Sequence, residues 1–292
     1  MLKIVLLATL SLNSFANPII KQQLWQQQQQ QLQHQQPSAT EQANVLQYAL
    51  DLSAPTTVSA FQCMKQSLYD VVFIRAYDPI AQGQIDRYVS DNIRNAYVAG
   101  LGTEVYMTPQ PNSVKSGAQQ FDEMYNGLRN SQITLRTVWI QVTSPINWPR
   151  NIQGNVNFVN SILTRAHSYG LNVGIYTNFY DWSQITNSAT ASNVMLWYWS
   201  VYGAGPSGET PAYFTEFRPF AGWTTPTVKQ FGQAEFVCNV KVNRNVYVAN
   251  TTSMNSVKME KFKNTQEISV GGLGLKNTAF TGKPEIKLLA ST

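Results

Sequence analysis

Short apolar runs rich in Val, Ile, Tyr and Trp alternate with amphipathic stretches between about residues 45 and 250. Apolar runs of about four to eight residues are typical of strands buried on both faces, and apolar positions at helical spacing are typical of helices that cover a sheet. The alternation therefore predicts a parallel sheet with helices packed against it.

The runs predict about eight strands, at residues 46–50, 71–76, 104–107, 138–142, 173–176, 195–198, 228–231 and 240–242. Helices are predicted through Phe61 and Met64 and at residues 85–99, 118–128 and 155–169. Loops such as GAGPSGETPAYFTEFRPF separate the later strands and have no helical period. The predicted fold class is α/β, a modified TIM-like β/α barrel in which the later helices are reduced.

The first 44 residues differ in composition from this domain. Residues 1–16, MLKIVLLATLSLNSFA, have the layout of a secretory signal peptide, and their apolar run is far shorter than the roughly 20 residues that span a bilayer. Residues 17–44 form a Gln-rich leader that we predict to be disordered, with a short helix or an interaction tail as alternatives. The protein is expected to be secreted or delivered to a lysosomal or vesicle lumen, without a membrane anchor.

The other end of the chain, residues 251–292, is polar and Gly-bearing, and we predict a flexible tail in which residues 268–275 are a candidate extra strand.

The net charge of +5 is spread along the chain. Because no basic run is interleaved with aromatic residues, nucleic acid is not an expected partner. A basic surface favours association with anionic cell walls, and simple solubility explains the charge equally well.

The chain has two cysteines, Cys63 and Cys238, near opposite ends of the predicted domain. An even count in a secreted protein favours a disulfide that links the two ends of the closed barrel, and two buried free thiols are the alternative.

Asn250 begins a glycosylation sequon, Asn250-Thr251-Thr252. The sequence has no metal-ligand cluster and no nucleotide-binding loop, so no cofactor is expected, and the protein is expected to be a monomer.

Chemistry in a β/α barrel takes place at the carboxyl ends of the strands. Aromatic, amide and carboxyl side chains dominate these positions, as expected for a site that binds sugar rings by their apolar faces and hydroxyl edges. Trp139 and Trp197 fit an aromatic barrel core equally well. The substrate-binding candidates are Arg75, Tyr77, Tyr106, Trp148, Tyr176, Trp199 and Gln230.

The strand ends carry motifs that resemble glycoside hydrolase family 25, the lysozymes of bacteria and phages, and in particular its protist-type branch in nematodes and amoebae. The motifs run in order over about residues 46–247 and include ALDLSAPT, FIRAY, DRYVSDNIRNAYVAGLGTEVYMTP, VWIQVTSPINW, GLNVGIYTNFYDW, LWYWSVYG and VKVNRN. The resemblance implies a modified β/α barrel that cleaves the β-1,4 bond between N-acetylmuramic acid and N-acetylglucosamine in peptidoglycan.

The family's working carboxylates are only partly retained. Asp51 matches the Asp of the first strand, whereas the family's fourth-strand Asp-x-Glu aligns with Gln141-Val142-Thr143 and its late Asp aligns with Asn243. An amide keeps the shape of a carboxyl group, but neither an amide nor a hydroxyl can exchange a proton near neutral pH. The resemblance therefore implies weak or absent catalysis by the family mechanism.

Three hypotheses follow. The first is a secreted, lysozyme-like protein that binds peptidoglycan or a related glycan in antibacterial defence or digestion. The second is an active glycosidase in which Asp51 works with Asp181 or Asp78, since glycoside hydrolysis needs two carboxyl groups. The third is a purely structural or signalling role, which the aromatic cleft does not favour.

Overall fold

The computed structural model describes residues 45–249, 267–272 and 282–288. The strands are β1 (Val45–Leu52), β2 (Tyr69–Asp78), β3 (Gln84–Ile85), β4 (Gly102–Met107), β5 (Ile133–Leu135), β6 (Thr137–Gln141), β7 (Asn172–Thr177), β8 (Thr190–Ser192), β9 (Met195–Trp199), β10 (Val228–Val237), β11 (Val240–Ala249), β12 (Ile268–Val270) and β13 (Glu285–Lys287). The helices are α1 (Val58–Gln66), α2 (Val89–Val98), α3 (Gly117–Asn130), α4 (Ile152–Ser168) and α5 (Phe179–Thr186).

Eight of these strands close into a barrel in the order β1, β11, β10, β9, β7, β6, β4, β2 and back to β1. The closing pair, β1 and β2, is parallel, with Leu50 opposite Val72. The prediction of an α/β barrel with about eight strands is confirmed. The short strand β3 extends the sheet beyond β2, so the predicted helix at residues 85–99 begins later, at Val89.

The prediction of a parallel sheet is wrong for β11, which is antiparallel to both β10 and β1. Only Cys238 and Asn239 separate β10 from β11, and both have positive φ, of 53° and 64°. Two residues in this conformation make a tight hairpin, whereas a parallel connection needs a crossover of about a dozen residues. The hairpin therefore fixes the direction of the last barrel strand.

Side chains alternate between the barrel interior and the helix-facing side of the strands. The interior is aromatic, and Trp139 and Trp197 are both completely buried there. Tyr176 stacks on Trp197 with ring centroids 4.1 Å apart. These two tryptophans therefore form barrel core and offer no exposed ring to a sugar.

Helices α1 to α4 cover the first half of the barrel because each has an apolar face, and side-chain caps start α1, α3 and α4. In α3, Ser116 and Gln119 form a reciprocal capping box, while Phe121, Met124 and Leu128 are buried against the strands. The second half has only the eight-residue α5, which we did not predict from the sequence, and no α-helix connects β9 to β10. The prediction that the later helices are reduced is confirmed.

A loop takes the place of the missing helix between β9 and β10. The completely buried Lys229 of β10 donates hydrogen bonds from Nζ to the carbonyl oxygens of Pro211 (2.7 Å) and Tyr213 (3.1 Å). Glu216 forms an ion pair with the same ammonium group. A buried charge is tolerated only when it is paired and hydrogen-bonded, so Lys229 ties this loop to the barrel wall.

Cys63 of α1 and Cys238 of the β10–β11 turn form a disulfide, with Cα atoms 6.0 Å apart. The bond joins elements on either side of the barrel closure. The prediction of a disulfide is therefore confirmed, and the alternative of two free thiols is wrong.

The prediction of a flexible tail is wrong for two segments. Strand β12 pairs in parallel with β5, and β13 pairs antiparallel with β8. Val270 and Ile286 are 1% and 2% exposed, so each segment is anchored by burying an apolar side chain. Of the candidate strand at 268–275, residues 268–270 form β12.

The predicted signal peptide, the Gln-rich leader, the Asn250 sequon and the rest of the tail lie outside the described residues. None of the helices in the described ranges combines the length and apolar character that crossing a bilayer requires.

Candidate functional site

A cleft of about 460 Å³ opens at the carboxyl ends of β2, β4 and β6. Its wall comes from the segments that follow these strands: residues 78–80, residues 108–112, and Gln141 with residues 143–144 and 146–148. This is the end of a β/α barrel where binding sites form, because the connecting loops there vary without disturbing the barrel. The cleft is the candidate functional site.

Gln141 and Thr143 form the β6 side of the cleft together with Thr108 from the β4 loop. The Thr108 hydroxyl donates to Gln141 Oε1 (2.6 Å), and Gln141 Nε2 donates to Thr143 Oγ1 (3.0 Å). This chain of hydrogen bonds fixes the orientation of the amide. The three groups can accept and donate hydrogen bonds to a ligand but cannot transfer a proton near neutral pH.

Trp148 shapes the cleft loop. Its indole Nε1 donates to the carbonyl oxygen of Thr143 (3.0 Å), and its ring packs edge-to-face on Phe158 of α4. Ser144 adopts a left-handed conformation (φ 58°) before a 3₁₀ turn at Pro145–Asn147. Trp148 lines the cleft but is only 8% exposed, so it supports the loop more than it presents a ring face to a ligand.

Asp51 lies in a cage of three amide side chains at the end of β1. Its Oδ1 accepts from Gln230 Nε2 (2.8 Å) and Asn245 Nδ2 (2.8 Å), and its Oδ2 accepts from Asn243 Nδ2 (2.7 Å). These amides come from β10 and β11, and Asn243 is directly opposite Asp51 in the β1–β11 register. Asp51 is 3% exposed and is not among the residues that line the cleft.

The amides of the cage are held with their NH₂ groups toward Asp51. Each amide oxygen accepts a separate hydrogen bond: Gln230 from the Tyr176 hydroxyl (2.9 Å), Asn245 from Trp197 Nε1 (2.9 Å) and Asn243 from the Ala234 amide (2.9 Å). Asp51 is therefore an acceptor for every neighbour in this network, and none of these groups can accept a proton from it.

Burial raises the pKa of Asp51, and the hydrogen bonds from Asn245, Asn243 and Gln230 offset only part of the rise. We expect the contribution of Asp51 to the free energy of unfolding to fall as the pH increases from about 4 through its folded-state pKa, because the folded state holds this proton more tightly than the unfolded state. Urea denaturation of wild type and Asp51→Asn across this pH range measures the effect. The stability of wild type relative to the variant should decrease with pH, and an increase would contradict the prediction.

Asp78 and Arg75 form an ion-pair cluster beside the cleft. Arg75 Nη2 donates to Asp78 Oδ2 (2.8 Å), while its Nε donates to Asp86 Oδ2 (2.8 Å). Asp86 is 3% exposed and was not identified from the sequence, although its position between the second strand and the next helix marks it as a loop residue of this barrel end. Arg75 and Asp78 therefore both form ion pairs within the protein.

Asp181 braces the cleft wall from α5. Its Oδ2 accepts a hydrogen bond from Trp199 Nε1 (3.1 Å), and the backbone of Ser144 lies beside the carboxylate. Burial raises the pKa of Asp181, and the Trp199 indole and the nearby backbone of Ser144 offset part of the rise. Asp181 and Trp199 therefore connect α5 to β9 beside the β6 loop, at the same end of the barrel.

The prediction of Tyr77 as a substrate-binding residue is wrong. Its ring is completely buried on the helix-facing side of β2, where the hydroxyl donates to Glu123 Oε2 of α3 (2.8 Å). The β2–β4 register shifts between Arg75 and Tyr77, which reverses the face that Tyr77 would otherwise occupy. Tyr106 and Tyr176 face the interior but are 7% and 5% exposed, so they support the site from within the barrel.

The structure thus sorts the predicted residues into groups. Asp78, Gln141, Thr143 and Trp148 meet in the cleft, Asp51, Gln230 and Asn243 form the cage, and Asp181 and Trp199 form the brace. Asn245 was not predicted from the sequence as a member of the cage. Its spacing of two residues from Asn243 on one strand is the signal that places both on the same face.

Across the described parts of the chain, no group of three or more His, Cys, Asp or Glu side chains is arranged to hold a metal ion. The polar groups that the cleft offers to a ligand are mainly neutral amides, hydroxyls and backbone atoms.

Comparisons with known proteins agree with the fold. Residues 41–231 match the family model described as Lysozyme-like protein 1. The chain is 54% identical over 235 residues to Lysozyme-like protein 1 of Caenorhabditis elegans, covering 77% of this chain and 79% of the relative. It is 33% identical over 200 residues to Probable GH family 25 lysozyme 2 of Dictyostelium discoideum, covering 68% and 89%.

Among solved structures, a family GH25 lysozyme from Aspergillus fumigatus has the same fold, with a TM-score of 0.56. The match covers 73% of this chain and 99% of that structure at 15% sequence identity.

Proposed function

This chain belongs to the lysozyme-like proteins of the glycoside hydrolase family 25 type, and from that membership and the cleft geometry we propose that it binds peptidoglycan glycan strands with little or no hydrolysis. The observation that carries the proposal is the neutral Gln141–Thr143–Thr108 network at the carboxyl end of β6. The resemblance implies an Asp-x-Glu pair there, and general acid–base catalysis contributes roughly 100- to 10,000-fold to rate.

The rest of the site supports binding over cleavage. Asp51, the retained family carboxylate, is enclosed by amides, and Asp78 is paired with Arg75. Fixed amides and hydroxyls in a concave site suit the hydroxyl and acetamido groups of amino sugars. We further propose that the protein is secreted and serves antibacterial defence or digestion, which the signal-like residues 1–16 and the Cys63–Cys238 disulfide support.

Co-sedimentation with insoluble peptidoglycan, combined with an assay for released reducing ends, tests this function. Wild type should sediment with the polymer without releasing reducing ends. Gln141→Ala should weaken binding by about ten-fold, because it removes hydrogen-bonding groups worth about 1 kcal/mol each. The matched control is Gln66→Ala, an exposed amide near the end of α1 and just before β2, which should bind like wild type.

Hydrolysis by Asp51 with Asp181 is the second candidate function, and the raised pKa of Asp181 favours it because a general acid must hold its proton. The same assay separates the two. Clearing of a peptidoglycan suspension by wild type, lost in Asp51→Asn, would establish the glycosidase and overturn the binding proposal.

A further inference from the structure

Two neighbouring aromatic rings, Phe179 and Tyr180, are exposed in the first turn of α5, at the same barrel end as the cleft. Their exposed fractions are 64% and 62%, and because the two residues are adjacent in the chain they form one apolar patch. We refer to these two residues as the aromatic shelf. Neither carries a formal charge, and Tyr180 adds one hydroxyl group.

The start of α5 and the Phe179 ring of the aromatic shelf are held in place by the residues around them. Asn178 caps α5 by accepting a hydrogen bond from the Asp181 amide (2.7 Å). The Phe179 ring packs edge-to-face on Phe220 (6.0 Å), which packs on Trp223 (5.2 Å). Trp223 in turn packs on the buried Trp182 of α5 (5.0 Å). A ring braced in this way loses little conformational entropy when a ligand covers it.

The aromatic shelf is continuous with the cleft wall. Asp181, the residue after Tyr180, lies beside the backbone of Ser144, which lines the cleft. Helix α5 also contacts the 3₁₀ turn Pro145–Asn147, whose Ile146 and Asn147 line the cleft as well. The aromatic shelf therefore lies at the start of a helix that packs against a turn of the cleft wall.

We propose that the aromatic shelf is an extension subsite for a β-1,4-linked amino-sugar chain whose neighbouring residues occupy the cleft. This inference rests on the proposed function. Pyranose rings present flat C–H faces that pack on aromatic rings, while their hydroxyl and acetamido groups remain at the polar edge. The protein thereby recognises a glycan several sugars long and discriminates against short fragments.

Binding of defined glycans by the full chain tests the subsite. The probes are the disaccharide and the hexasaccharide of alternating N-acetylglucosamine and N-acetylmuramic acid, with affinity measured by calorimetry. Phe179→Ala with Tyr180→Ala should weaken hexasaccharide binding by about ten-fold and change disaccharide binding by less than about two-fold. Tyr180→Ala alone should produce part of the loss without disturbing the Phe179–Phe220 contact.

Two controls isolate the contribution of the rings. Phe179→Tyr with Tyr180→Phe keeps both aromatic faces and should retain hexasaccharide affinity. Tyr97 is also an exposed tyrosine (51% exposed), but it lies near the end of α2 and the start of β4, at the opposite end of the barrel. The Tyr97→Ala variant should therefore bind like wild type.

Distinct outcomes would overturn the proposal. Unchanged hexasaccharide affinity in the double alanine variant would show that the aromatic shelf is not a subsite, and the proposed function would still stand. An equal loss on both probes would make the aromatic shelf part of the cleft and not an extension. Failure of wild type to bind either probe would overturn both proposals. Binding of wild type, but not the variant, to phosphatidylcholine–phosphatidylglycerol vesicles, without a change in hexasaccharide affinity, would assign the aromatic shelf to a lipid surface.

Discussion

Replacing Gln141 by Asp and Thr143 by Glu in one chain should raise the rate of peptidoglycan hydrolysis by about 100- to 10,000-fold over wild type. The two substitutions rebuild the Asp-x-Glu pair that the family resemblance implies at the carboxyl end of β6. Thr143 borders the cleft, and its Oγ1 is already within 3.0 Å of the Gln141 amide. A longer Glu side chain at this position can reach into the cleft. Release of reducing ends from purified peptidoglycan measures the gain.

The matched control is Gln141→Asn with Thr143→Gln, which reproduces the shapes of the two carboxyl side chains without a titratable proton. It should remain as inactive as wild type. The activated variant should also lose rate on the alkaline side of its pH profile as the new general acid ionises, a feature that improved binding alone would not produce. A folded double variant that binds peptidoglycan but releases reducing ends no faster than wild type would show that Gln141 and Thr143 do not occupy the catalytic positions.

The third substituted position, Asn243, differs from the other two. Asn243 Nδ2 donates to Asp51 Oδ2 at 2.7 Å, so a carboxylate there would lie within hydrogen-bonding distance of a buried carboxylate. Two like charges at that separation repel and force one of them to keep a proton. Asn243 therefore stabilises the cage with Asp51 ionised.

The barrel and the location of its site were predictable because both depend on local patterns. Apolar runs at strand spacing mark the barrel strands, and the polar residues that follow β2, β4 and β6 meet wherever such strands are adjacent. Gln141 and Thr143 were identified in this way and do border the cleft.

The cage and the orientation of Tyr77 were not predictable because both depend on long-range register. Asp51 meets Asn243 and Asn245 only because β11 pairs antiparallel with β1, and periodicity within one strand does not reveal the direction of its partner. The register shift beside Tyr77 likewise moves that ring from the interior to the helix-facing side. Strand β12 falls within the candidate strand at residues 268–275, whereas β13 has three residues, which is too short for a periodic signal.

Removing the disulfide by Cys63→Ala with Cys238→Ala should lower the free energy of unfolding by about 5 kcal/mol. The bond closes a loop with a sequence separation of 175 residues, and the loss of chain entropy in the unfolded state increases with the logarithm of loop length. For a domain of this size the change corresponds to a fall in Tm of roughly 10 to 20 °C, which differential scanning calorimetry can measure.

Reduction of wild type with dithiothreitol should produce a similar fall in Tm, whereas the double alanine variant should not respond to the reductant.

The position of the disulfide also predicts what its removal does to the cage around Asp51. It joins α1 to the β10–β11 turn, and the antiparallel β11 that follows this turn supplies Asn243 and Asn245 to Asp51. Well below its Tm the variant should keep the cage and bind peptidoglycan like wild type, because the barrel still closes through β1–β2 and β1–β11 pairing. A loss of less than about 1 kcal/mol would mean that the unfolded chain is already compact enough to hold the two cysteines close together.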